Sequence, residues 1–148
     1  MSIFLEVCNN KIIVCSVLSW AIAQIIKICI DLAQTRKIDI RLITSSGGMP
    51  SSHTSFIVAM AGSVGFTEGF DSVLFAVCFV LSAIVMYDAA GVRRAAGRQA
   101  AVLNILVKKL EKEGLRIDEK LKELLGHSPV EVAMGALLGS LIAFLFYK

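Results

Sequence analysis

Long apolar runs recur along this chain with short polar turns between them, and that pattern limits the fold more than any other feature. The first run extends from Ile12 to Ile30 and is broken only by serines, Gln24 and Lys27. At about 1.5 Å per residue it is long enough to cross a bilayer. Lys27 lies near its end, where a lysine can snorkel to the interface. The second begins at Pro50-Ser51-Ser52-His53 and reaches about Phe66. It is short and rich in Ala, Gly and Ser, small residues that let helix backbones approach closely. The third covers Val73 to Tyr87, and the last covers Val130 to Tyr147 with Gly135 and Gly139 in a close-packing GxxxG pattern. The chain is 56% hydrophobic, against about 45–50% in an ordinary soluble domain, and the excess lies in these runs. The pattern predicts an all-α fold: a small integral membrane helical bundle, one domain over residues 1–148, with about four membrane-embedded helices. No basic stretch precedes the first run and no small-residue cleavage site follows it, so it reads as a retained span rather than a removed signal.

The net charge of +3 is unevenly placed. Arg36, Lys37 and Arg41 follow the first run, and Arg93, Arg94, Arg98 and most of the lysines follow the third. The turn between the second and third carries only Glu68 and Asp71. The positive-inside rule puts the basic loops in the cytoplasm and both termini outside, a multi-pass topology. Within the polar stretch 95–125, Leu103, Leu106, Val107 and Leu110 recur at helical spacing, with Lys108, Lys109 and Lys112 on other faces. This reads as a cytoplasmic amphipathic helical insertion on the membrane surface, broken at Gly114 and followed by a short helix from Ile117 to Leu125. No aromatic-plus-basic pattern suggests base stacking, so nucleic acid is excluded as a partner and the membrane is expected. The four cysteines, Cys8, Cys15, Cys29 and Cys78, have no metal spacing and read as small buried side chains. Neither metal nor cofactor is called for.

Threading the chain through four spans brings its polar residues to one face. Lys27 ends the first span and Pro50-Ser51-Ser52-His53 opens the second. Asp88, Arg93 and Arg94 end the third, and His127 opens the fourth. Both histidines of the chain lie on that face. Gly47-Gly48 and Ser51-Ser52 lead into one helix start, and Gly126-His127-Ser128-Pro129 into another. Free N–H groups and the helix dipole at such starts favour an anion. A histidine can attack phosphorus, a second can protonate the leaving oxygen, and cations can hold the remaining oxygens. Taken singly, each residue has a blander reading. Ser128-Pro129-Val130-Glu131 is a capping box, Ser51 and Ser52 are ordinary N-caps, and basic residues beside spans are topology signals.

Gly48-Met49-Pro50-Ser51-Ser52-His53 resembles the P-S-G-H motif of the type-2 phosphatidic acid phosphatase (PAP2) superfamily, related to vanadium haloperoxidases. The segment from His127 to Gly139 looks like the second half of that superfamily's third motif. The chain from about Gln24 to Gly139 is similar to the superfamily's divergent branch, which reads G-G-M-P-S-S-H, Y-D-A-x-G-V-R-R and G-H-x-P-x-E-V. The resemblance implies a metal-independent phosphatase with a phosphohistidine intermediate. His127 would be the nucleophile, Glu131 would orient it, and His53 would be the general acid. Lys27, Arg41, Gly48, Ser51, Ser52 and Arg93 or Arg94 would hold the phosphate, with Asp88 in support. Ser52 stands where the motif has glycine and Glu131 where it has aspartate. Residues 95–126 are inserted between the arginine and the histidine, and no K-x6-R-P motif is present.

The expected function is hydrolysis of a lipid phosphomonoester or diphosphate at the cytoplasmic face. The partners are then a phosphorylated lipid substrate and the membrane, with a homo-oligomer left open. The alternative is a non-catalytic membrane protein that binds phospholipid headgroups or a partner protein.

Overall fold

The computed structural model describes residues 2–36, 48–112, 121 and 126–148, and all regular structure among them is helical. The elements are α1 (Ile3–Asn9), α2 (Lys11–Thr35), α3 (Ser52–Glu68), α4 (Val73–Ala90), α5 (Val92–Lys112) and α6 (Pro129–Tyr147). Short polar side chains set the starts of four of them by accepting the unpaired first-turn N–H groups. Asn10 Oδ1 accepts from Ile12 N at 3.0 Å and from Ile13 N at 3.2 Å, which separates α1 from α2. Ser72 Oγ accepts from Phe75 N at 3.1 Å to begin α4. Ser51 and Ser128 do the same for α3 and α6.

The bundle is packed inside out relative to a soluble protein. Its largest fully buried side chains are Thr54, Cys15 and serines 16, 19, 51, 52, 55 and 63. Large apolar side chains point outward: Val73 is 82% exposed, Phe79 60% and Leu145 61%. Water would penalise that distribution, whereas hydrocarbon does not. The small interior lets helices close to backbone contact. A Cβ on Gly135 would lie 2.5 Å from the Ser51 carbonyl oxygen, and one on Gly139 2.5 Å from that of Ser55. Gly135 and Gly139 are thus used within the chain, to seat α6 on α3. Serine bonds add to the seams. Ser19 and Ser55 hydroxyls pair at 2.6 Å between α2 and α3, and Ser82 Oγ on α4 donates to the Ile57 carbonyl of α3 at 3.2 Å. In this way α3 sits against α2, α4 and α6.

Among the described residues three segments are long and apolar enough to cross a membrane: α2, α6, and the stretch Val73–Lys112 that comprises α4 and α5. The expected count of about four therefore becomes three by length and composition. The exception is α3, whose 17 residues span only about 25 Å.

Other expectations are corrected by tertiary context. The helix α1 had no sequence signal of its own, being a single short stretch ahead of the first run. The amphipathic helix begins at Val92 rather than near residue 95, with only Gly91 between it and α4. Cys15 and Cys78 are buried, but Cys8 and Cys29 are exposed, because the outer surface of such a bundle accepts apolar side chains as readily as its interior. Arg41, Gly114 and the second insertion helix from Ile117 lie outside the described residues, apart from Leu121. That residue is fixed by Asn104, whose Nδ2 donates to its carbonyl at 2.8 Å and whose Oδ1 accepts from its N–H at 3.0 Å.

Candidate active site

Four helix ends meet at one end of the bundle, and backbone hydrogen bonds join them. The Ser51 amide, just before α3, donates to the Glu131 carbonyl in the first turn of α6 at 3.0 Å. The His127 amide, just before α6, donates to the Ala89 carbonyl at the end of α4 at 2.9 Å. Gly126 makes the second junction possible. Its φ is +86°, and a Cβ there would meet the Arg93–Arg94 backbone, 2.8 Å from the Arg93 carbonyl carbon. An L side chain meets steric cost at such a φ as well. Gly48, at φ +92°, places its backbone over the Lys27 stem, where a Cβ would be 3.1 Å from Cγ.

At this junction the capping box at α6 does two things. Ser128 Oγ accepts from Glu131 N at 3.3 Å, and Glu131 Oε2 accepts from Ser128 N at 3.1 Å. The same Oε2 accepts from His127 Nδ1 at 3.0 Å. A carboxylate cannot donate, so the proton of that bond lies on Nδ1, and Nε2 carries the lone pair when the ring is neutral. His127 is 3% exposed, and its Nε2 is buried with no hydrogen-bond partner among the described residues. Burial lowers the His127 pKa. The hydrogen bond and charge of Glu131 partly oppose that shift, and the positive charges of Lys27 and Arg93 add to it.

The ring of His53 stands 6.3 Å from that of His127, centroid to centroid, tilted by 55°. Between them opens a cavity of about 40 Å³ lined by His53, Val85, Asp88, Ala89, Arg93 and His127. Arg93 reaches it with its guanidinium anchored, since Nε donates to Asp88 Oδ2 at 2.6 Å. Lys27 approaches from α2. It is 2% exposed, and its Nζ is a second buried polar atom without a partner among the described residues. A charge kept out of water without a partner is costly.

The structure brings Lys27, Gly48, Ser52, His53, Asp88, Arg93, His127 and Glu131 to this end of the bundle. Ser51 is there too, but its hydroxyl is engaged in the helix start, accepting from Thr54 N at 3.4 Å and from Thr54 Oγ1 at 3.0 Å. Arg94 is exposed and does not line the cavity; its backbone contacts Gly126 instead. Of the two adjacent arginines, then, Arg93 is the one that faces the histidines. Arg41 is outside the described residues. Sequence reasoning missed Ala89, whose carbonyl holds the His127 backbone, and Val85, which walls the cavity. Neither residue type carries a chemical signal. Among the described residues no group of three or more His, Cys, Asp or Glu side chains could hold a metal ion.

The chain is 43% identical over 152 aligned residues to the uncharacterized membrane protein YuiD of Bacillus subtilis (strain 168), covering 93% of this chain and 94% of that protein. No solved structure matches. The family model described as the divergent PAP2 family matches residues 8–142, which takes in every helix end that builds the site, and the chain therefore belongs to the divergent PAP2 family.

Proposed function

We propose that the protein is a membrane lipid phosphatase that hydrolyses a lipid phosphomonoester or diphosphate through a phosphohistidine on His127. The observation that carries this reading is the state of the His127 ring. Nδ1 is held by Glu131, while Nε2 is buried and unpartnered beside a cavity. In the first step Nε2 bonds to phosphorus, and the ester P–O bond breaks. The leaving oxygen takes a proton from His53. Glu131 keeps the proton on Nδ1 and stabilises the positive ring that forms. In the second step water attacks phosphorus and gives its proton to His53. The Nε2–P bond breaks and phosphate leaves. Lys27, Arg93 and the N–H groups at the start of α3, including Ser52, neutralise charge on the phosphoryl oxygens. Asp88 holds Arg93 in place, and Ser51 fixes the helix start.

Seated against α2, α4 and α6, α3 would enter the membrane with them as the fourth embedded helix. The basic residues that flank the site favour its placement on the cytoplasmic face. The alternative is a non-catalytic headgroup binder, favoured by the small volume of the cavity and by the engaged Ser51 hydroxyl. Phosphate release from lipid phosphates by the purified protein, with trapping of ³²P-labelled protein, separates the two. Label and release are expected from the wild type, and neither from His127→Ala. A wild type that binds lipid phosphates but releases no phosphate would leave the binder.

A further inference from the structure

An apolar groove of about 330 Å³ lies one helical turn below the reaction cavity. Its floor is α3, at Val58 and Gly62; one wall is α4, at Phe79 and Ala83; the other is α6, at Ala136 and Ser140. The groove and the cavity share one face of α4. Ala89 and Val85 line the cavity, and Met86, Ser82, Phe79 and Phe75 continue that face into the groove at spacings of three and four. Ser82, the polar residue on that wall, has its hydroxyl committed to the Cys78 carbonyl at 2.8 Å and to the Ile57 carbonyl at 3.2 Å. Among the described residues no charged one lines the groove. From Met86 to Phe75 it runs along α4 for about 16 Å, against about 15 Å for one leaflet's share of a 30 Å hydrocarbon core.

We infer that this α4–α6 groove holds one hydrocarbon chain of the phosphorylated lipid, which enters sideways from the leaflet that borders the site. The inference rests on the phosphatase reading for its headgroup end. Three features select this occupant. The groove begins where the phosphoryl group would sit, its lining is apolar apart from Ser82 and Ser140, and it has the depth of one leaflet. Its volume is at the bottom of the roughly 300–1,000 Å³ range of ligand pockets, which suits a single chain. A second apolar groove, about 280 Å³ between α2 and α6 and lined by Ile26, Ile30, Pro50 and Leu138 among others, lacks that continuity, because no residue of the reaction cavity lies on its walls. The chain would leave lipid rather than water on entering, so the groove contributes shape selection and alignment of the phosphate more than hydrophobic driving force.

The test uses full-length protein in phosphatidylcholine vesicles with a long-chain phosphatidic acid that carries a diazirine at mid-chain. Irradiation is expected to label residues 75–86 of α4 and 136–140 of α6. An excess of unlabelled phosphatidic acid should remove that label. Ala83→Phe and Ser140→Phe, each filling one wall, are expected to reduce the label at least tenfold. They should also lower the ratio of long-chain to short-chain phosphate turnover at least tenfold. Leu138→Phe, in the other groove, is the control and should change neither. Thermal melting in detergent identifies any variant that has merely unfolded, and the other wall variant then decides. Competable label in the groove without phosphate release from any lipid would keep the groove and remove the phosphatase reading. Phosphate release with label centred on Ile30 and Leu141, or spread evenly over Val77 and Leu81, would overturn the groove and leave the phosphatase reading standing.

Discussion

Glu131 Oε2 accepts from His127 Nδ1 at 3.0 Å, through the same oxygen that closes the capping box with Ser128 at 3.1 Å. One carboxylate oxygen thus serves both a helix start and an imidazole. Glutamine can keep the cap, because its side-chain oxygen accepts from an N–H equally well. It lacks the charge that stabilises a positive ring. Glu131→Gln is expected to cost at most about 1 kcal/mol in stability, and to slow turnover roughly a hundredfold or more. Melting and turnover measured on one detergent preparation check both. Near-wild-type turnover in a stable variant would reduce Glu131 to a cap.

The lowered pKa of His127 sets the sign of a pH effect. On the phosphohistidine reading the nucleophile works as the neutral ring, so phosphoryl-enzyme formation should be low at acid pH, rise through a midpoint set by His127 to a plateau, and fall again where His53, the acid of the same step, loses its proton. The midpoint should lie below about 6.5, the unperturbed histidine value. Glu131 opposes the downward shift, so Glu131→Gln should move the midpoint further toward acid while lowering the plateau. Rapid-quench measurement of phosphoryl-enzyme formation between pH 4 and pH 8 provides the check. A midpoint shifted upward by Glu131→Gln would contradict this account of the ring's environment.

Lys27 offers a trade of stability against binding. Its buried ammonium, without a hydrogen-bond partner among the described residues, costs solvation. Lys27→Met keeps the length and removes the charge. The variant is expected to melt a few degrees higher and to lose about tenfold to a hundredfold in vanadate affinity, the range for one charge-assisted hydrogen bond. Differential scanning fluorimetry and calorimetry with vanadate read the two effects. A variant that melts lower and binds vanadate normally would place Lys27 in the scaffold.

Topology has its own test. Single cysteines at Lys112 and Glu68, in a background without the native four, should react with impermeant maleimide from opposite sides of the membrane, Lys112 from the cytoplasm. Labelling of both from outside the cell would reverse the orientation.

Much of the fold was legible because its signals are local. Ser51, Ser128-Pro129 and Glu131 mark helix starts by chemistry that acts within one turn. The apolar runs mark α2, α4 and α6 by length alone. Threading those runs placed both histidines at one end. Three features were not legible, and each depends on what lies across a gap. The choice of Arg93 over Arg94 follows from its bond to Asp88. The grip on His127 comes from the Ala89 carbonyl, an atom every residue possesses. The packing of α3 against α2, α4 and α6 is the third, since a short apolar run does not show which helices flank it.

The two junctions that align the site, Ser51 with Glu131 and His127 with Ala89, are made by peptide groups rather than side chains. Every amino acid except proline supplies the donor, and every amino acid supplies the acceptor. Neutral drift at residues 51, 89, 127 and 131 can therefore erase the proposed chemistry while leaving these peptide hydrogen bonds available. A lineage that lost the reaction would keep the same scaffold, and only replacement of Ser51 or His127 by proline would remove a donor from it.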